Sequence, residues 1–72
     1  MITRWTTPAG ARVDVIVLTG TPDASLTRRN GEHYGDGQWL RVTGPHGNLA
    51  GMVRTPAELP RLGINLADLN PA

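Results

Sequence analysis

Arg4-Trp5-Thr6-Thr7-Pro8-Ala9-Gly10 and Arg41-Val42-Thr43-Gly44-Pro45-His46-Gly47 are two copies of one pattern, R-x-T-x-P-x-G. In each copy a short apolar segment leads in and a longer one follows. Pro presets φ for a turn and Gly tolerates positive φ, so each heptad reads as a strand running into a tight turn. The pair predicts two β-hairpins with alike turns. The fold class that follows is mainly β: a small antiparallel meander or partly open barrel of four to five strands, with a short α or 3-10 segment at the C-terminus.

Working outward from the first heptad, Ile2 to Thr7 reads as a short strand and Ala11 to Thr19 as a longer one. In the longer strand Ala11, Val13, Val15 and Val17 share a face, while Arg12 and Asp14 lie on the other, followed by Ile16 and Leu18. That strand starts half-exposed and ends apolar on both faces, so Ile16 and Leu18 call for a cover. Around the second heptad, Gln38 to Thr43 puts Leu40 and Val42 on one face and Trp39 and Arg41 on the other. Asn48 to Arg54 returns as a strand, with Gly51 marking a bulge or a close backbone approach.

The period then changes. Thr55-Pro56-Ala57-Glu58 has the form of a capping box with Pro at the first helical position. Pro60 lacks the N–H that would bond the carbonyl of Pro56, so the helix is expected to be one or two turns of α or 3-10 winding, ending by Gly63. Asn65 reads as a second N-cap. Leu59, Leu62, Ile64, Leu66 and Leu69 are the expected lid over Ile16 and Leu18.

Residues 20–37 support rival readings. Asn30-Gly31 suits a type I′ hairpin turn, with Arg29 facing Glu32 and Thr27 facing Tyr34. Thr21-Pro22 and Arg28-Arg29 suit the ends of a short helix. An irregular loop is the third reading. The expected organisation is a single domain, 1–72: a hairpin over 2–19, an insertion over 20–37, a hairpin over 38–54 and a helical lid over 55–70.

A chain of 72 residues is one small domain, and a core of that size supplies only ~3–5 kcal/mol. The chain has no Cys and two His, so disulfides and thiolate metal sites are excluded. Stability is then modest or supplied by association, with another copy or with another protein. A net charge of +1 argues against a dominant pull toward nucleic acid or anionic lipid. The longest wholly apolar run, Val15 to Leu18, is far too short to span a bilayer. Residues 1–5 lack the apolar core of a targeting segment. The expected location is cytoplasmic. Every basic residue is Arg, and with abundant Ala, Gly and Pro the composition has the bias of a GC-rich bacterial genome.

Chemistry-bearing constellations are sparse. Ser25, His33 and Asp36 contain the residue types of a hydrolase triad, but they sit in a Gly-rich stretch that holds no geometry. His33 with Glu32 or Asp36, and His46 in a turn, match no closed zinc spacing. Gly35-Asp36-Gly37 lacks the Lys and helix of a phosphate loop. No catalytic residue, metal or cofactor is expected. Trp39 and Arg41, with Trp5 and Arg4, are the candidate binding residues; the rival reading is that both Trp rings cap an undersized core. Aromatic and Arg side chains on one β face build protein hot spots, or stack single-stranded bases. The functional expectation is a non-enzymatic protein-interaction module. The alternative is a small β-barrel that binds single-stranded nucleic acid.

Two blocks also carry a resemblance. Trp5, the Thr/Pro/Gly turn and the Val13–Val17 strand form one; Arg41 to Gly47, the following apolar strand and Thr55-Pro56-Ala57-Glu58 form the other. Together they resemble a large family of short proteins of high-GC Gram-positive bacteria, often encoded beside helix-turn-helix regulators. The resemblance implies an accessory of a DNA-binding regulator and supplies no catalytic residues.

Overall fold

The computed structural model describes residues 1–20 and 33–72. The Asn30-Gly31 hairpin and its helical rival both lie outside the described residues. Five strands form one open antiparallel sheet: β1 (Arg4–Thr6), β2 (Arg12–Leu18), β3 (Gly37–Thr43), β4 (Leu49–Val53) and β5 (Asn70–Pro71). Their spatial order is β4-β3-β2-β1-β5. The first four make a meander, and β5 returns to the free side of β1. The mainly β expectation holds, in its open-sheet form.

The two heptads build the same turn. Gly10 N–H donates to the Thr7 carbonyl at 2.9 Å, and Gly47 N–H to the Gly44 carbonyl at 3.0 Å. Thr7 N–H donates to Ala11, and Gly44 N–H to Asn48, one step further on in each copy. Gly10 and Gly47 have φ of 89° and 84°, and no described non-glycine residue has positive φ. A Pro-led turn closed by a left-handed Gly is the three-residue hairpin geometry built on a type I turn. The sequence repeat is therefore a repeat of backbone conformation.

The register divides the sheet into two faces. Val13 pairs with Val42 and Trp5, and Val15 pairs with Leu40, which pairs in turn with Val53. These residues form the lid-side face. Asp14 pairs with Arg4 and Arg41, and Ile16 with Trp39, on the opposite face. The expected separation of Leu40 and Val42 from Trp39 and Arg41 is observed.

Both helices of the lid are 3-10 in winding, and the first contains Pro60. One helix spans Pro56–Leu62, with Gly63 as a left-handed C-cap, and a second spans Leu66–Asp68. Leu59 and Ile64 are buried with Ala11, Val13, Leu40, Val42 and Val53; Trp5, Val15, Leu62 and Leu69 pack against them. The lid thus covers the Val13 face, and the expectation that it covers Ile16 and Leu18 is incorrect. The physical reason is at Gly51. A Cβ there would stand 2.8 Å from Leu62 Cδ2, so the missing side chain makes a seat for the lid on that face alone. Ile16 and Leu18 stay half-buried on the other side.

Three smaller corrections follow. Leu66 is 44% exposed and is not part of the lid's packed surface. The Thr55 hydroxyl makes no cap to the backbone and pairs with the Glu58 carboxylate at 3.4 Å, so the capping box does not form. Asn70 and Pro71 belong to a strand, which the lid reading over 55–70 lacked. Asn65 does cap its helix, accepting from Ala67 N–H at 3.1 Å. Gly51 faces Val42, and the register shifts between Val42 and Thr43, leaving Ala50 as the extra residue of a bulge. No helix among the described residues is long and apolar enough to cross a membrane.

The lid is expected to be integral to the fold. Leu59 is 1% exposed, and Leu59→Ala should cost about 2–5 kcal/mol, comparable to all that a core of this size supplies. A chain ending at Thr55 should lose its cooperative thermal transition, followed by circular dichroism. An unchanged melting curve in the truncated chain would refute this.

Candidate functional site

The face without a lid carries the charged chemistry. β2 is the middle strand, and its alternation puts Arg12, Asp14 and Ile16 on this face. Antiparallel pairing sets Arg4 of β1 on one side of Asp14 and Arg41 of β3 on the other. Both arginines occupy the first position of their heptads. Arg4 Nε donates to Asp14 Oδ1 at 2.6 Å. Arg12 Nε donates to Oδ2 at 3.1 Å, and a terminal nitrogen of Arg41 donates to the same oxygen at 3.4 Å.

Asp14 is 5% exposed. A buried carboxylate is tolerable only when paired and hydrogen-bonded, and this one has three guanidinium groups. Burial pushes its pKa up; hydrogen bonds from Arg4 and Arg12, the charge of Arg4 and the hydrogen bond from Arg41 outweigh burial and hold it below the ordinary carboxylate value. The arginines remain partly in solvent. Between Arg4 and Arg41 lies an open cleft of about 410 Å³, with Thr3 and Ile16 on its walls. Arg41 Nε is buried without a hydrogen-bond partner among the described residues.

Further along the same face, Trp39 is 5% exposed. Its Nε1 donates to the Gly35 carbonyl at 2.7 Å. Tyr34 meets it edge-on, with centroids 5.1 Å apart. The Arg54 guanidinium lies 3.7 Å from the ring centroid, and its two terminal nitrogens donate to the carbonyls of Gln38 and Asp36. Trp39 is thus covered by a cation that is itself tied to the backbone.

Of the four sequence-predicted binding residues, the structure brings Arg4 and Arg41 together at Asp14 and places Trp39 on their face. Trp5 is on the opposite face, because neighbours along a strand point to opposite sides. There it lines an apolar cavity of about 220 Å³ with Val13, Leu40, Pro56, Leu59 and Leu69. The expectation that Trp5 lies beside Arg4 on one binding surface is therefore corrected. Sequence reasoning missed Arg12, Asp14 and Arg54. Period-two alternation places Arg12 with Asp14, and a register counted back from the Pro8 turn sets Arg4 opposite Asp14, so this part of the cluster was within reach of the sequence. Ser25 and Glu32 lie outside the described residues. Among the described residues, no group of three His, Asp or Glu side chains could hold a metal. Compared with protein-family models, with curated proteins and with solved structures, the chain matches none.

Asp14 makes the fold acid-sensitive. Its folded-state pKa is depressed, so its stabilisation is fully present above the unfolded value of about 4 and is lost as pH falls through the folded value. Asp14→Asn should be less stable than the parent at neutral pH by about 1–3 kcal/mol. In denaturant titrations the gap should narrow as pH drops through the Asp14 transition. A gap that is constant from neutral pH to strong acid would refute this.

Proposed function

We propose that the protein is a non-enzymatic interaction module whose arginine-bearing sheet face docks an acidic segment of a partner protein. The observation that carries the reading is the one-sided distribution of charge. Arg4, Arg12, Arg41 and Arg54 all belong to the face without the lid, and Asp14 is the acidic side chain buried among them. Among the described residues, the terminal nitrogens of Arg4 and Arg12 have no protein acceptor, because each arginine uses Nε on Asp14. Guanidinium groups held this way present forks that match carboxylates. The overall charge of +1 hides this local excess. Association with another protein also suits a small core without disulfides. The regulator implied by the family resemblance is the first partner to assay.

Single-stranded nucleic-acid binding is the rival reading. It needs aromatic rings on which bases can stack. Trp39 is covered by Arg54 and Tyr34, and Trp5 lines the cavity under the lid. These placements favour the protein-binding reading.

Poly-glutamate and oligothymidylate, titrated separately into the full chain, distinguish the two. Poly-glutamate should bind, weaken with added salt, and lose affinity in Arg12→Gln, with Arg61→Gln on the lid unchanged. Tighter binding of oligothymidylate at physiological salt, lost in Trp39→Ala, would replace this reading with the nucleic-acid one.

A further inference from the structure

Three guanidinium groups share one carboxylate at Asp14, so three positive charges less one negative leave the cluster two charges positive. Both carboxylate oxygens are occupied: Oδ1 by Arg4, and Oδ2 by Arg12 and Arg41. The aspartate therefore acts as a clamp that aims the arginines. Arg4 is the most solvent-accessible of them and spends only Nε on the clamp. Arg41 is held by one terminal nitrogen, at the cost of leaving its Nε buried and unpartnered. A buried donor without an acceptor is uncommon in folded proteins and calls for a reason. Here the reason is position, since that conformation sets the Arg41 guanidinium on one wall of the cleft of about 410 Å³, with Arg4 on the other.

Of the cluster, Arg4, Arg41 and Asp14 line the cleft itself, Arg12 stands beside it on Asp14, and Ala72 adjoins them in the lining. A phosphoryl group carries −1.5 to −2 at neutral pH, with three acceptor oxygens suited to paired arginine forks. We propose that the cleft between Arg4 and Arg41 is a phosphoryl subsite, which takes the phosphate of a phosphorylated side chain within the partner's acidic segment. The proposal rests on the arginine-bearing face being the partner-binding face. Thr3 at the rim adds a hydroxyl within the same cleft, and Ile16 gives it an apolar wall.

The test is calorimetric titration of the full chain with three probes: a glutamate-rich peptide carrying one phosphoserine, its unphosphorylated twin, and inorganic phosphate. Phosphorylation should tighten binding by about tenfold or more, the size of a charge-assisted hydrogen bond. Arg4→Gln should erase most of that increment, and Arg4→Lys, which keeps the charge but lacks the fork, should retain part of it. Arg61→Gln should leave it intact. Near-ultraviolet circular dichroism of each variant verifies its fold. In the parent, the Arg4 Nε–H resonance should shift with the phosphopeptide more than with its twin. Equal affinity of the two peptides would overturn the subsite while leaving the docking face standing. Binding of neither would overturn both. Inorganic phosphate binding as tightly as the phosphopeptide would overturn the peptide source in favour of a free anion.

Discussion

Asp14 sets the register of the sheet. It is a carboxylate at the centre of the middle strand, and its burial is tolerated because β1 and β3 each supply an arginine opposite it. Strand side chains alternate with a period of two, so a slip of β2 by one residue would turn Asp14 and Arg12 into the aliphatic core and leave Arg4 and Arg41 without their carboxylate. A slip of two residues keeps Val13 and Val15 on the aliphatic face, so hydrophobic burial alone resists it weakly. A buried charge with three fixed partners resists it strongly. The register is therefore specified by the polar face at least as strongly as by the core.

That specification links back to the repeated heptad. Each copy begins with the arginine that meets Asp14 and ends with the left-handed Gly that closes the turn. The first turn joins β1 to β2 and so fixes Arg4 opposite Asp14, while the second joins β3 to β4 and fixes how the edge strand lies on β3. Turn chemistry and charge pairing thus agree on one register, the kind of consistency across levels that lets a small sequence specify one structure. Gly51 extends the logic to the third dimension. By admitting Leu62 it seats the lid on the aliphatic face and leaves the arginine face open.

The hairpins, the faces of β3, the 3-10 character around Pro60 and the Asn65 cap were all legible, because each depends on short-range stereochemistry. The placement of the lid was not. Ile16 and Leu18 make the end of β2 apolar on both sides, and period alone does not say which side is covered by which segment. Their half-burial beside Trp39 is a tertiary outcome. The strand at Asn70 and Pro71 carries no strand signal, since its pairing with β1 depends on how the lid delivers the chain. At the candidate site, Arg4 and Arg41 were legible as candidate binding residues because each lies close to a Trp in a β segment. Trp5 was grouped with them by adjacency in sequence, which in a strand means opposite faces. Arg54 was missed because its place over Trp39 depends on where β4 ends against β3.

The state of the tryptophans bears on function through electrostatics as well as stacking. A guanidinium held against Trp39 and tied to the Gln38 and Asp36 carbonyls rigidifies one end of the face. The clamp at Asp14 rigidifies the other. Arginine side chains ordinarily lose considerable rotamer freedom when they bind a partner. On this face much of that ordering is already present in the free protein. The net charge of the chain is small, so long-range attraction contributes little. On the docking reading proposed for this face, recognition would be short-range and geometric, through guanidinium forks already oriented in the free protein. On that reading, the spacing of anionic groups in the partner would add to the salt-sensitive attraction.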